Sequence, residues 1–260
     1  MIWPPASGDK ERDEATREDC LGLAELLSDH APVSLICSSQ DSALVALRTP
    51  SNVAAMAAEY DASPLRRQAP LWLVDGDGRL VAALARTPLG RRMAEQAGVP
   101  VVEPPAALPI WIETDGEGTA LVVADLPDMA AAENALRHWL GLEQVVWLAP
   151  PGVCYLGTGL VALPPHPANY LILEAASDAR GRKLTLLELP EPRKGAGCYA
   201  DCLAAGAAVV VPDFEDGRGS EAFSKVSAAL PDRRVSAFPA GLLAFSEGGL
   251  GSLVAVQPRG

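Results

Sequence analysis

The residues best suited to chemistry lie in two short stretches of the second half of the chain. Ser252 stands in the glycine-rich segment GGLGSLVAVQPRG (248–260), a setting in which an enzyme can mount a nucleophile at the mouth of a strand. In CYADC (198–202), two thiols flank the carboxylate of Asp201. A serine or cysteine attacks efficiently only when a base lies within hydrogen-bond reach. Neither stretch contains a histidine, so each is a candidate nucleophilic site without a base.

Cys198 and Cys202 are close enough in sequence to share a metal ion. Structural zinc sites take four ligands, and no second cysteine pair or nearby histidine completes such a set. The sequence therefore predicts no metal and no cofactor. Packing in the hydrophobic core is the simplest interpretation of the two thiols.

Helices and strands that would position these residues alternate along the chain. Apolar residues at helical spacing predict helices at 11–30, 129–141 and 220–230. Short apolar runs predict strands at 33–37, 144–150, 169–175, 183–189, 207–214 and 234–238. The Asp-Gly turns in PLWLVDGDGRLVAAL (70–84) and IWIETDGEGTALVVA (110–124) predict two hairpins. The recurring unit of strand pair, helix and strand predicts one compact α/β domain over residues 1–260, built as a repeat array or a radial arrangement.

Composition narrows the classes of partner. The 260 residues carry a formal net charge of −12 and an isoelectric point of about 4.7. An acidic surface repels nucleic acids and anionic membranes, so neither is an expected partner. No apolar run is long enough for a transmembrane helix, and the first residues are too polar for a signal peptide. Five irregularly spaced cysteines are typical of reduced thiols in a cytoplasmic protein.

Several segments, in the same order along the chain, resemble the agmatine deiminase and bacterial peptidyl-arginine deiminase family. They are DGDGRLVAA (75–83), IETDGEGTALV (112–122), WLGLEQVVWLAPPG (139–152), GAAVVVPDFEDGRGSEAFSKVSAALPDRRVSAF (206–238) and the closing GG…QP. The resemblance covers most of 60–258 and leaves 1–30 as a divergent N-terminal segment. It implies a pentein-type fold, in which five ββαβ-like blades surround a pseudo-fivefold axis that holds the active site.

The resemblance also implies a specific chemistry. A delocalised guanidinium cation is a poor electrophile, and the family attacks it with a cysteine thiolate, which forms at an accessible pH. A histidine transfers protons to the leaving ammonia and from the incoming water. Two carboxylates hold the guanidinium through charge-assisted hydrogen bonds.

Carried over by position, this chain has other residue types at each of these places. Counting back from Pro258, Ser252 falls at the nucleophile and Gly251 at the preceding histidine. In GTGLVA (157–162), Leu160 falls at the catalytic histidine and Ala162 at a carboxylate.

The other two motifs retain more. In SPLRRQAP (63–70), Arg66 is retained, while Arg67 replaces the other carboxylate and introduces a cation where the family binds one. CYADC (198–202) retains Tyr199 but has Asp201 and Cys202.

The joint replacement of nucleophile, base and clamps predicts a non-catalytic homologue that acts by binding or assembly, with a homologous deiminase subunit or with itself as partner. We expect Ser252, Leu160 and Arg67 to converge near the axis, with Arg66, Tyr199, Cys198, Asp201 and Cys202 lining the pocket. The alternative is a hydrolase of guanidino C–N bonds that uses a rearranged site near Ser252, Cys198, Asp201 and Cys202.

Overall fold

The computed structural model describes residues 1–61, 63–103, 111–124, 126, 128–150, 152–193, 197–243 and 249–258. Five small β-sheets make up this part of the chain. Each sheet has its own hydrogen-bond ladder, and we call each one, with its helix, a blade. The repeating unit read from the sequence is therefore a physical unit, numbered blade 1 to blade 5 in chain order.

Blades 2 to 5 share one topology. An antiparallel strand pair is followed by a helix and then by a third strand, which lies parallel to the second. In blade 2 these are β3 (Leu71–Val74), β4 (Leu80–Leu84), α4 (Pro88–Gln96) and β5 (Val101–Val102). In blade 3 they are β6 (Trp111–Thr114), β7 (Thr119–Val123), α5 (Met129–Leu140) and β8 (Gln144–Leu148). In blade 4 they are β9 (Cys154–Gly157), β10 (Leu160–Leu163), α6 (Pro167–Ala175) and β11 (Thr185–Glu188). In blade 5 they are β12 (Leu203–Ala205), β13 (Ala208–Asp213), α7 (Gly219–Ala229) and β14 (Arg234–Pro239).

Blade 1 is the exception. Its two parallel strands, β1 (Val33–Cys37) and β2 (Val53–Ala57), are joined through α2 (Ser42–Arg48) and preceded by α1 (Lys10–Ser28). Ile2 forms a parallel bridge to Ile36 on β1, so the first residues of the chain lie beside this sheet next to β1. Two short helices, α3 (Leu65–Gln68) and α8 (Leu250–Leu253), connect the blades.

Aspartate side chains fix the predicted hairpin turns. The carboxylate of Asp75 accepts hydrogen bonds from the backbone N–H groups of Asp77 and Arg79, both at 2.9 Å. Asp115 does the same in blade 3, at 2.8 and 2.9 Å, and Asp178 repeats the pattern after α6. A short carboxylate that satisfies two turn amides explains why the Asp-Gly motifs mark these bends. The hairpins are confirmed, although residue 110 lies outside the described residues.

The predicted strand at 169–175 is wrong, because this segment is the helix α6. His166 caps the helix by accepting a hydrogen bond from the N–H of Asn169 at 3.2 Å, and Pro167 occupies the first turn, where its missing N–H costs nothing. Asn169 and Leu173 are fully buried. The apolar residues between them, Tyr170, Leu171 and Ile172, are exposed. The apolar run was therefore mistaken for a buried strand, whereas only its first and fifth residues face the core.

The core consists of four apolar clusters at the junctions of the blades. The largest cluster joins blade 1 to both ends of the described chain, because Trp3 and Leu253 pack within it and are almost fully buried. The N–H of Ile2 also donates to the carbonyl oxygen of Leu253 at 3.0 Å. Within the described residues, no helix is both long enough and apolar enough to cross a membrane.

Candidate active site

A pocket of about 430 Å³ lies where the connections of several blades meet. Blade 3 supplies Trp111 at the start of β6, and the segment between β8 and β9 supplies Pro150 and Gly152. Cys198 and Asp201 reach the pocket from the segment before β12. The remaining described residues of its wall are Arg67, Val123, Gly197, Pro212, Phe214, Ala240, Gly249 and Leu250.

Arg66 contacts three of these connecting segments next to the pocket. Its Nη2 donates to Asp201 Oδ1 at 3.1 Å, and its Nε donates to the carbonyl oxygen of Gly251 at 3.0 Å. Its guanidinium carbon lies 4.0 Å from the centre of the Trp111 ring, which is cation–π geometry. Asp201 Oδ2 accepts a further hydrogen bond from the N–H of Gly251 at 3.2 Å. The Arg66–Asp201 pair therefore joins α3, blade 3, blade 5 and the segment at α8.

The carboxyl groups of Glu113 and Asp201, near Arg66, are poorly solvated. Burial raises the pKa of Glu113, on β6, to about 7, and the nearby charge of Arg66 lowers it by less. Burial also raises the pKa of Asp201, while Arg66 and the N–H of Gly251 act in the opposite direction. Desolvation disfavours a charged carboxylate. Glu113 therefore takes up a proton near neutral pH.

The thiols near the pocket are held in their protonated form. Burial raises the pKa of Cys198 to about 11, and it raises the pKa values of Cys154 and Cys202 further. Cys202 donates to the carbonyl oxygen of Tyr199 at 3.2 Å, and Cys154 donates to that of Cys202 at 3.2 Å. Since the thiolate is the nucleophilic form, all three thiols have the properties of structural residues.

The structure brings some of the expected site residues together and not others. Arg67, Cys198 and Asp201 line the pocket, with Arg66 and Gly251 in contact with Asp201 behind it. The other expected residues, Leu160, Ala162, Tyr199, Cys202 and Ser252, are not part of the wall formed by the described residues.

The expected site residues that lie outside the wall pack against other parts of the protein. Ala162, on β10, is fully buried in an apolar cluster, and Leu160 packs against the same cluster. Tyr199 is also buried there and donates its hydroxyl to Asp216 Oδ1 at 2.7 Å. Ser252, on α8, is only 5% exposed. Leu160 and Ser252 are therefore not among the described residues of the wall that includes Arg67, and their convergence near the axis stays a prediction.

The segment that leads into blade 4 supplies two residues of the described wall. Pro150 and Gly152, just before β9, face the pocket, whereas Leu160 and Ala162 lie on the second strand of the hairpin. Sequence reasoning also missed Trp111 and Glu113. Their only signal was their place on the first strand of a predicted hairpin, which does not reveal which side chains face an axis.

Histidine is absent from the described wall of the pocket. The chain has three histidines. His30 follows α1, His138 lies on α5 against Trp139, and His166 caps α6. Among the described residues, no group of three or more histidine, cysteine or acidic side chains is arranged to hold a metal ion.

Four ββαβ blades and a fifth blade with two parallel strands, with a pocket where their connections meet, define a pentein-type α/β propeller, the fold class expected from the sequence. The same fold is seen in the structure of the agmatine deiminase of Enterococcus faecalis, with a TM-score of 0.86 at 17% identity, covering 100% of this chain and 92% of that chain. The family model of the Porphyromonas-type peptidyl-arginine deiminases matches residues 163–258. The matched segment and the relatives below make the chain similar to the agmatine deiminase and peptidyl-arginine deiminase family.

Two relatives illustrate the range of similarity. The agmatine deiminase of Pseudomonas aeruginosa (strain LESB58) is 25% identical over 205 residues, which are 56% of this chain and 55% of the relative. The matched region thus spans about half the length of that curated relative. A Streptomyces avermitilis protein, provisionally named agmatine deiminase, is 23% identical over 323 positions, covering 100% of this chain and 93% of that protein.

Proposed function

We propose that this chain is a non-catalytic member of its family, which acts in the cytoplasm by binding or assembly. One observation carries the proposal. Arg67 lines the central pocket, and the family resemblance assigns its position to a carboxylate that holds the guanidinium of the substrate. Two guanidinium cations repel one another, so Arg67 opposes the binding of a substrate of this class.

The candidate nucleophiles support the same proposal. Ser252 is buried outside the described wall of the pocket, and an alcohol needs an adjacent base to become a nucleophile. Cys198 lines the pocket, but with a pKa of about 11 its thiolate fraction is very small at neutral pH. Histidine, the residue that serves as the base in the family, is absent from the described residues of the wall.

A divergent hydrolase remains the second candidate, because Cys198 and Asp201 line the same pocket. For this function, Asp201 would have to act as the base for the thiol of Cys198. Both oxygens of Asp201 are already engaged, Oδ1 by Arg66 and Oδ2 by the N–H of Gly251. Accepting a proton from Cys198 would compete with both of these hydrogen bonds, which favours the non-catalytic function.

The test is ammonia release by the purified chain from agmatine, arginine and a peptidyl-arginine substrate. We expect no release above the background of a heat-inactivated sample. The variants Ser252→Ala and Cys198→Ser separate the alternatives if release is seen. Turnover that follows the protein through purification and is lost in either variant would overturn the proposal and identify the nucleophile.

Assembly is tested separately from activity. A family member without catalysis is expected to work through a partner, either a homologous deiminase subunit or a second copy of this chain. Light scattering on the purified chain measures self-association, and pull-down from the native cell with mass spectrometry detects a homologous subunit. A monomer that retains neither partner would count against assembly and leave ligand binding as the function.

A further inference from the structure

Arg67 brings a positive charge to the pocket, and no acidic side chain among the described residues is paired with it. Its side chain is exposed, and its guanidinium forms no hydrogen bond or ion pair with any other residue in the described part of the chain. The neighbouring Arg66, by contrast, has its guanidinium bound to Asp201 and Gly251. Arg67 can therefore offer all its N–H donors to a ligand, and the paired donors of a guanidinium match a carboxylate.

The other charged residue of the described wall is already compensated. Asp201 is 9% exposed and forms an ion pair with Arg66 at 3.1 Å. Glu113 lies behind this pair and, with its pKa raised to about 7 by burial, is partly protonated at neutral pH. The charges of Arg66 and Asp201 cancel each other, so Arg67 carries the uncompensated charge among the described residues of the wall.

The rest of the wall is mostly apolar. Trp111 and Phe214 present aromatic rings, and Val123 and Leu250 present aliphatic side chains. The volume of about 430 Å³ lies toward the lower end of the range of roughly 300–1,000 Å³ typical of ligand sites. An apolar pocket with one charged group suits a ligand with an apolar body and one head group.

From these observations we propose that the pocket binds a small organic monoanion, with a carboxylate facing Arg67 and an aryl or alkyl body against Trp111 and Phe214. A dianion such as a phosphate ester would need a second uncompensated cation, which the described wall does not provide. This inference rests on the proposed function, because a working deiminase would bind a cation at the same place.

Three probes with the same body separate the contribution of the head group. They are 4-phenylbutyrate, 4-phenylbutan-1-ol and 4-phenylbutylamine, which are negative, neutral and positive at pH 7. Dissociation constants are measured by titration calorimetry on the full chain. We expect the carboxylate to bind about fivefold to tenfold more tightly than the alcohol, and the amine to bind most weakly, since a charge-assisted hydrogen bond to a partly exposed group gains about this much.

Two variants, each of which removes one positive charge, test whether the preference for the carboxylate depends on Arg67. Arg67→Gln should abolish the preference for the carboxylate over the alcohol. Arg79→Gln should keep that preference, because Arg79 is exposed in the turn after β3 and is not part of the described wall. An unchanged preference in Arg67→Gln, or tighter binding of the amine than of the carboxylate, would overturn the inference.

Cys198 reports whether the probe occupies this pocket. It is partly exposed and lines the wall, while the other four cysteines are buried. Bound 4-phenylbutyrate should slow the alkylation of Cys198 by iodoacetamide at pH 9, as measured by mass spectrometry. Binding without this protection would place the probe elsewhere and would refute the inference.

Ammonia release from agmatine is measured in the same samples, so that the two proposals fail separately. Turnover of agmatine would overturn the proposed function whatever the probes do. If the parent chain shows no preference for the carboxylate over the alcohol and does not turn over agmatine, only the proposed ligand class is overturned.

Discussion

Ser252 stands at the position that the family resemblance assigns to the nucleophile. Its hydroxyl is buried on α8, beside rather than within the described wall of the pocket. A thiol at this place would have no histidine in the wall to assist it, and the loss of general acid–base assistance costs about 10²–10⁴-fold in rate. Arg67 would in addition repel a guanidinium substrate.

We therefore predict that Ser252→Cys does not release ammonia from agmatine above background. The new thiol should also react with iodoacetamide more slowly than Cys198, because residue 252 is the more buried of the two. Both quantities can be measured on one preparation by ammonia assay and peptide mass spectrometry. Substantial turnover by the single variant would show that the site needs only its nucleophile.

Glu113 gives a prediction about pH. Its pKa is raised from the ordinary 4.5 to about 7 in the folded state, mainly by burial. The stability that this group contributes is therefore fully present below about pH 4.5 and is lost as the pH rises to about 7. Glu113→Gln, which resembles the protonated form, should be the more stable protein at pH 8, by at most about 3 kcal/mol.

Urea unfolding between pH 4.5 and pH 8 measures this effect. The advantage of Glu113→Gln should shrink as the pH falls and vanish near pH 4.5. The control is Glu174→Gln on the exposed surface of α6, which makes the same substitution away from the pocket. A stability difference for Glu113→Gln that is independent of pH would contradict the raised pKa.

At the scale of elements, Asp201 and Arg66 connect α3 to the segment that precedes β12. The side chains are 11% and 17% exposed, so removal of one charge leaves the other poorly solvated. We predict that Asp201→Asn lowers the free energy of unfolding by about 3 kcal/mol, near the lower end of the range for broken buried pairs. Denaturant unfolding measures the change.

A pair of similar chemistry on the surface serves as the control. Arg91 and Glu103 form an ion pair whose side chains are 47% and 62% exposed. Glu103→Gln should change stability by no more than about 1 kcal/mol. If the two acid-to-amide changes cost the same, the buried pair does not hold these connections together.

The elements also show which parts of the structure were readable from the sequence. The Asp-Gly turns identified the hairpins of blades 2 and 3, because one carboxylate bonds two amides of each turn. The apolar run of α6 was misread, since Tyr170, Leu171 and Ile172 are apolar yet exposed. Local composition reports turn chemistry well, but it does not report which side of an apolar segment is covered.

The candidate site was only partly predictable for a related reason. The change to Arg67 and the pair of Arg66 with Asp201 concern residues that short motifs singled out. Trp111 and Gly152 belong to different connections, and only the folded ring brings them together in one wall. Pro150 and Gly152 precede β9 in a third connection, where no short motif marked them as residues of the wall.

At the scale of the whole molecule, the ring closes through side chains of α8 and the first residues. Leu253 is 1% exposed and packs in the largest apolar cluster together with Trp3. We predict that Leu253→Ala lowers the free energy of unfolding by about 2–5 kcal/mol, the range for removing a buried leucine side chain. Urea unfolding monitored by tryptophan fluorescence measures the loss.

Leu171→Ala is the matched control, because Leu171 is 65% exposed on α6. Its cost should stay within about 0.5 kcal/mol. Equal costs for the two leucine substitutions would mean that packing at α8 does not contribute to closure of the ring.

The unpartnered guanidinium of Arg67 has an evolutionary consequence. Since it forms no bond with the rest of the described chain, replacing it removes no interaction on which folding depends. Natural selection for a folded protein therefore leaves this codon free to drift. The sign of charge that the pocket accepts can be inherited, lost or reversed by a single mutation, while the surrounding ring is preserved for other reasons.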